Sequence, residues 1–293
     1  MHSDTIVAGV ELGGTKSIAV VGRGREIIDR FRVPTTTPAE TLGALSAKLT
    51  EWRDAHRPAA IGIASFGPVS VAKGTMLPTP KPHWAGADIV APLAKGFDAV
   101  AFHTDVTGAA LGEGAFGAGV GLSDFIYVTV GTGVGMGIIA NGRPVTGMMH
   151  PEAGHIHVRR RRDDGFAGAC PFHGDCLEGL VSGPAIAART GGPAHLLSAD
   201  DPAWHDVADA LGEAFASLFL TLSPARIIVG GGVGLGQPHV LPMVRDRVVQ
   251  SLGGYLGFVD RESIDDRIVA AALGEEAGPL GTLVMAQNLL RSA

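Results

Sequence analysis

One stretch of this chain occurs twice, and that repetition limits the folds open to it more than any other feature. With Gly13 laid on Gly131, Gly13-Gly14-Thr15-Lys16-Ser17-Ile18-Ala19-Val20-Val21 runs beside Gly131-Thr132-Gly133-Val134-Gly135-Met136-Gly137-Ile138-Ile139. The register holds without a gap until Gly24-Arg25 meets Gly142-Arg143. Each copy reads as strand, glycine turn, strand, turn, which predicts two lobes of related topology. A cleft between such lobes is the usual place for a small ligand.

The remaining blocks set the class. Residues 6–10, 17–22 and 27–33 read as successive strands, and 38–56 as a helix with Leu42, Leu45, Leu49 and Trp52 on one stripe. Strands follow at 59–64 and 99–103, then a helix of small residues at 106–114. The uncharged stretch 125–142 has the length of a membrane span, but its glycines and short β-branched blocks read as two buried strands joined by a turn. A strand at 226–229 runs into a third glycine turn, Gly230-Gly231-Gly232-Val233-Gly234, and helical spacing follows at 238–252 and 274–290. The alternation indicates an α/β fold. We expect a small lobe over 1–115, a large lobe over 116–274, and a terminal helix over 275–293 that packs back on the first.

Composition narrows the function. The 43 glycines gather at strand ends, where a backbone turns tightly or approaches a ligand, and not in linkers. A net charge of -6 provides no basic field for nucleic acid or an anionic membrane, so neither is expected as a partner. Residues 1–4 show no basic or apolar leader, which makes the cytoplasm the expected compartment. There, two cysteines rarely form a disulfide.

Four groups of residues carry chemistry. In Glu11-Leu12-Gly13-Gly14-Thr15-Lys16, adjacent glycines let backbone N–H groups face an anion, and Thr15 and Lys16 add donors. One such turn is as readily a plain hairpin. Two related turns, with Gly131-Thr132-Gly133 as the second, suit a triphosphate, and Glu11 is placed to reach its Mg2+ through water. Neither turn has the Gly-Lys-Ser/Thr ending of a Walker A loop. Asp105 begins a helix, where it either caps the helix or, held ionised by the helix dipole, accepts a proton from a hydroxyl. Gly108, Ala109 and Ala110 behind it would let that helix approach a ligand closely.

Cys170, His173 and Cys176 fall within seven residues, and His155 upstream completes a four-donor set for a closed, structural zinc site. Two unrelated buried thiols are the competing reading, and His150 and His157 are alternative fourth donors. Glu152 and Glu178 flank the cluster; each is either a solvated carboxylate or, with the loop pinned, an acceptor for the hydroxyls of a polyol. The run Arg159 to Arg162 meets Asp163 and Asp164 at once and reads as a solvated loop.

Together these motifs resemble the ROK family of bacterial sugar kinases, within the actin-like ATPase superfamily, over nearly the whole chain. The carriers are Glu11 to Lys16, Thr104-Asp105-Val106, Val130-Gly131-Thr132-Gly133, Pro151-Glu152-Ala153-Gly154-His155, Cys170 to Glu178 and Gly230-Gly231-Gly232. The resemblance implies a two-lobed ribonuclease H-like fold with duplicated mixed sheets, ATP and Mg2+ as phosphoryl donor, and a homodimer. It implies Asp105 as the base and Glu152, His155 and Glu178 as sugar contacts, with His155 bridging zinc and sugar. It places Pro184 near the nucleotide base and extends the nucleotide site to Gly230, Gly231, Gly232, Val233 and Gly234. Ala64-Ser65-Phe66-Gly67-Pro68 and Thr79-Pro80-Lys81-Pro82 look like the sugar-side loops of the fructokinase branch, which brings in Ser65. Glu11 replaces the usual Asp, and Thr104, carried over as a sugar contact, replaces the usual Asn beside the base; His173 replaces a cysteine. The implied activity is ATP-dependent phosphorylation of fructose to fructose 6-phosphate, with mannose as a secondary substrate. The rivals are a kinase for another hexose, a sugar sensor without catalysis and a ROK-type regulator; the regulators carry a winged helix ahead of the first turn, where this chain has about ten residues.

Overall fold

The computed structural model describes residues 5–292; residues 1–4, on which the reading of the leader rests, lie outside them. The chain divides into two units. Unit 1 takes Met1–Gly121, Val145–Pro151 and Glu275–Ala293, and unit 2 takes Leu122–Pro144 and Glu152–Gly274.

Unit 1 opens with an antiparallel meander of β1 (Val7–Leu12), β2 (Lys16–Arg23) and β3 (Glu26–Pro34). Helix α1 (Pro38–His56) follows. Its start is fixed by Thr37, whose side chain accepts from the Glu40 N–H, and by Pro38 in the first turn. Arg57 ends it in the left-handed region, returning its N–H to Arg53 O. The stripe Leu42, Leu45, Leu49 and Trp52 is buried in one cluster with Val10, Leu12, Val21 and Ile63 of the sheet. Next come β4 (Ile61–Ser65), the small ribbon β5 (Val69–Ser70) and β6 (Thr75–Met76), α2 (Val90–Ala94), β7 (Val100–Thr104) and α3 (Asp105–Phe116). The sheet order is β3-β2-β1-β4-β7, with β4 parallel to both neighbours and buried at every position, as strands covered on both faces are.

Unit 2 repeats this plan. Strands β8 (Phe125–Val130), β9 (Val134–Ala140) and β10 (Arg143–Pro144) are antiparallel. A 3-10 turn at Ala153–His155 leads to α4 (Leu177–Val181), α5 (Gly183–Thr190) and α6 (Ala203–Leu222). Then follow β11 (Arg226–Gly230), α7 (Gly231–Gly236), α8 (Val240–Leu252), α9 (Ile264–Arg267) and β12 (Ile268–Ala270). The order β10-β9-β8-β11-β12 has the same sequence of antiparallel and parallel pairings as the first sheet. The repeat is therefore a repeat of topology, as an actin-like fold requires.

The last helix, α10 (Ala277–Ser292), packs on α3, β1 and β4 of unit 1. Glycine makes that approach possible: a Cβ on Gly281 would lie 1.8 Å from Gly108 O, and one on Gly112 would lie 2.3 Å from Ala277 O. Gly108 thus also serves helix packing. The boundary expected at 115/116 falls after Gly121, because Gly117 and Gly119 donate to Glu113 O and Ala118 donates to Glu113 Oε2 at 2.7 Å. Residues 145–151, assigned above to the large lobe, join unit 1, where His150 Nε2 accepts from the Val69 N–H at 3.0 Å. Among the described residues, no helix is long and apolar enough to cross a membrane.

Candidate active site

The first glycine turn joins β1 to β2. Its carbonyls are all engaged within unit 1: Thr35 Oγ1 donates to Gly13 O at 2.7 Å, Lys81 Nζ to Gly14 O at 2.6 Å, and Thr35 N–H to Thr15 O at 2.9 Å. With the carbonyls held on one side, the amides of Gly14 and Thr15 have no acceptor among the described residues, and both residues are exposed. That edge is suited to an anion. Lys16, expected to add charge there, instead pairs with Glu275 at 2.8 Å. The Glu11 carboxylate lies so close to the start of α10 that a Cβ on Gly278 would meet Oε1 at 2.1 Å. Burial first, then the Asp105 charge, push Glu11 up to about 7.

Asp105 occupies the first turn of α3, one residue inside its cap. The cap is Thr104, whose Oγ1 accepts from the Thr107 N–H at 3.3 Å and shares a hydrogen bond with Thr107 Oγ1 at 2.8 Å. Thr104, expected as a sugar contact, is thus almost buried with its hydroxyl engaged by the helix. Ser65, expected beside the sugar, is fully buried and donates to Phe66 O at 2.8 Å. Freed from capping, Asp105 accepts the Val106 N–H at 2.8 Å. Burial raises its pKa from the ordinary carboxylate value, against the lowering by the backbone donors of the helix end. His150 of the same unit, one of the alternative metal donors, accepts at Nε2, so its proton lies on Nδ1, and it is not among the four residues whose donor atoms cluster.

The cysteine cluster forms in unit 2. His155 Nδ1 lies 3.7 Å from Cys170 Sγ and 3.5 Å from Cys176 Sγ, and His173 Nδ1 lies 3.6 Å from Cys170 Sγ. One donor atom from each of the four residues falls within 4.8 Å of the others. A tetrahedral zinc with its usual bond lengths sets sulfur–nitrogen edges of roughly 3.6 Å, so the spacing fits the ion. Both cysteines are free thiols, and burial pushes Cys176 up to about 11, a penalty that a bound cation would reverse. His157 stands outside the set, 3.7 Å from Asp175.

The second glycine turn is braced by the helices after this loop. Glu178 Oε2 accepts from the Val134 N–H at 3.0 Å, and Gly183 N–H donates to Gly131 O at 2.7 Å. Pro184 lies in the first turn of α5, behind the Ser182 cap. Gly232 N is 3.7 Å from where a Cβ on Gly131 would stand, so the second and third turns adjoin. The third turn is a helix start: Gly231 has φ of 85°, and α7 runs through Gly232, Val233 and Gly234. Glu152 lies immediately before the 3-10 turn that carries His155.

Two features escaped the sequence reading. One is that Lys81, read above as part of a sugar-side loop, reaches the first turn. The other is the Arg159 to Arg162 run, which is not simply a solvated loop. Arg160 donates to Asp175 at 2.8 Å and pairs with Asp164 at 2.9 Å, and Asp164 in turn pairs with Arg189 at 2.9 Å. These ion pairs close the loop that holds the cysteines.

A model of the ROK family matches residues 7–289. The chain is 39% identical to a fructokinase of Zymomonas mobilis, over 98% of each chain. It is 37% identical to a fructokinase of Pediococcus pentosaceus, over 98% of this chain and 100% of that one. Among solved structures, a ROK family glucokinase from Streptomyces griseus in complex with glucose and AMPPNP aligns with a TM-score of 0.76 at 29% identity, covering 97% of this chain and 99% of that one.

Proposed function

Because the chain belongs to the ROK family of sugar kinases, we propose that it transfers the γ-phosphoryl group of ATP to fructose, giving fructose 6-phosphate, with Asp105 as the base. Identities of 37% and 39% to fructokinases over nearly full length support this sugar above glucose. The observation that carries the reading is Asp105: a half-buried carboxylate, relieved of capping by Thr104 and raised in basicity by its surroundings.

In its ionised form Asp105 accepts the proton of the attacking hydroxyl as the new oxygen–phosphorus bond forms and the bond to the ADP oxygen breaks; little more base strength is needed in phosphoryl transfer. The amides of Gly14 and Thr15, with Gly13, take phosphate oxygens at the first turn. Gly131, Thr132 and Gly133 do so at the second, while Pro184 and the Gly230 to Gly234 segment serve the nucleoside. Glu152, Glu178 and His155 Nε2 accept or donate to sugar hydroxyls, and Thr104 and Ser65 act from behind by holding α3 and β4. Glu11 would hold Mg2+ through water, and the ion would neutralise phosphate charge. His155, Cys170, His173 and Cys176 would hold zinc in a closed site that fixes α4 and with it Glu178. The homodimer implied by the family belongs to the same proposal.

ADP release measured over a panel of hexoses tests the substrate: fructose should give the highest kcat/KM, and a higher value for another hexose would overturn the assignment. Asp105→Asn should bind ATP and fructose but lose about 1000-fold in turnover; an active variant removes Asp105 from the chemistry. For zinc, elemental analysis of protein purified without added metal should find one ion per chain. Less than that, together with activity indifferent to a strong chelator, would refute the ligand set.

A further inference from the structure

We propose that Lys81, rather than Lys16, is the catalytic cation that contacts the transferring phosphoryl group at the first glycine turn. The inference rests on the kinase reading in that the turn receives phosphate. It concerns which side chain meets that charge.

Lys16 lies next to the turn in sequence, but its ammonium is matched by Glu275 at 2.8 Å, and the Glu11 carboxylate also feels its charge. Lys81 differs in both respects. Its Nζ reaches the turn itself, 2.6 Å from Gly14 O, and that partner is a neutral carbonyl. Among the described residues no carboxylate pairs with it, so a full positive charge stands at the turn without a counter-charge. One of its three N–H donors is taken by the carbonyl, and two remain for phosphate oxygens. They lie beside the residues whose amides lack acceptors, Gly14 and Thr15.

Its position is built rather than accidental. The loop carrying Lys81 is fixed by Trp84, fully buried, whose Nε1 donates to Thr36 O at 2.7 Å. The Trp84 ring meets Phe66 edge-on at 5.0 Å, and the Phe66 N–H donates to Leu12 O at 2.7 Å, at the end of β1. The turn and the lysine therefore share one anchor. In phosphoryl transfer the charge spread over the equatorial oxygens is met by fixed cations, and an ammonium already in place needs no reorganisation.

A plain structural strap across the turn is the rival explanation, and Lys81→Gln separates the two because it keeps an N–H donor for Gly14 O while removing the charge. We would measure kcat, KM for ATP and fructose, and binding of AMPPNP and ADP by calorimetry for Lys81→Gln, Lys81→Met, Lys81→Arg and Lys16→Met. A phosphoryl-contacting cation predicts that Lys81→Gln and Lys81→Met both lose about 100-fold in kcat. Both should also lose the preference for AMPPNP over ADP, with ADP and fructose affinity kept, whereas Lys81→Arg recovers part of the rate. Lys16→Met should lose less than about 5-fold, as for a partly exposed ion pair. Recovery by Lys81→Gln, equal weakening of AMPPNP and ADP, a rise in fructose KM alone, or a larger loss in Lys16→Met would each overturn the proposal. If Lys81→Met fails to fold, the glutamine and arginine variants give the same readouts. If the wild type releases no ADP with any hexose, it is the kinase reading that fails, and Lys81 is judged on the AMPPNP and ADP affinities.

Discussion

The two glycine turns descend from one pattern and are held in different ways. Both link antiparallel strands, with Leu12 opposite Ser17 across the first and Val130 opposite Val134 across the second. The first is fixed from its carbonyl side by a threonine and a lysine, leaving amides outward and cations nearby. The second is enclosed by backbone and a carboxylate: Gly183 donates to Gly131 O, and Glu178 takes the Val134 amide. A duplicated hairpin thus supplies the same scaffold twice, and the side chains brought to it from afar decide which copy carries charge. Repetition in the sequence reveals the scaffold and is silent about that division.

The largest expected difference between the copies lies at the strand ends. With Gly13 on Gly131, Glu11 falls on Thr129, so only the first copy carries an ionisable group there. Its pKa is raised from 4.5 to about 7 in the folded protein, chiefly by burial. The folded state therefore binds the proton more tightly than the unfolded chain does, and stability falls as pH rises from about 4.5 to 7. Glu11→Gln removes that penalty. In metal-free, nucleotide-free protein it should stabilise by on the order of 3 kcal/mol at pH 8 and by almost nothing at pH 4. Denaturant unfolding at the two pH values checks this. Equal gains at both would mean that the amide stabilises through packing, and that the copies do not differ electrostatically.

How much of this could be read from residues alone follows the distance over which each feature is determined. Helix α1 was legible end to end, because Thr37, Pro38 and a single apolar stripe are local signals. The strands of both repeats were legible for the same reason. Helix α6 was missed at its start, which follows Pro202 without a side-chain cap, although His205, Asp209, Glu213, Ser217 and Thr221 mark its period with a polar stripe every four residues. At the site, the close spacing of Cys170, His173 and Cys176 is itself local information. Lys81, by contrast, is 67 positions from Gly14, and Arg160 meets Asp164, Asp175 and the backbone at once. The fold decides such encounters. A run of arginines followed at once by aspartates looks solvated on paper, whether or not one of its members turns inward.

A smaller effect should separate the turns by steric means. A Cβ on Gly133 would stand 2.7 Å from Glu178 Oε2, whereas one on Gly14 would find nothing within 4 Å. Neither residue has a left-handed φ, so alanine is compatible with the backbone at both. Gly133→Ala must displace the Glu178 carboxylate, and with it the brace on the Val134 amide. A shift of this kind at a group that orients substrate should lower kcat/KM for fructose about 10-fold, within the range known for small misplacements. Gly14→Ala leaves its surroundings intact, and the unliganded protein should keep its stability within about 0.5 kcal/mol. Any activity Gly14→Ala loses should then appear in KM for ATP, since the added methyl faces only what binds over the open amides. Should Gly133→Ala behave like Gly14→Ala, with fructose kinetics untouched, Glu178 would be a brace that the sugar does not depend on, and the enclosed turn would have the same function as the open one.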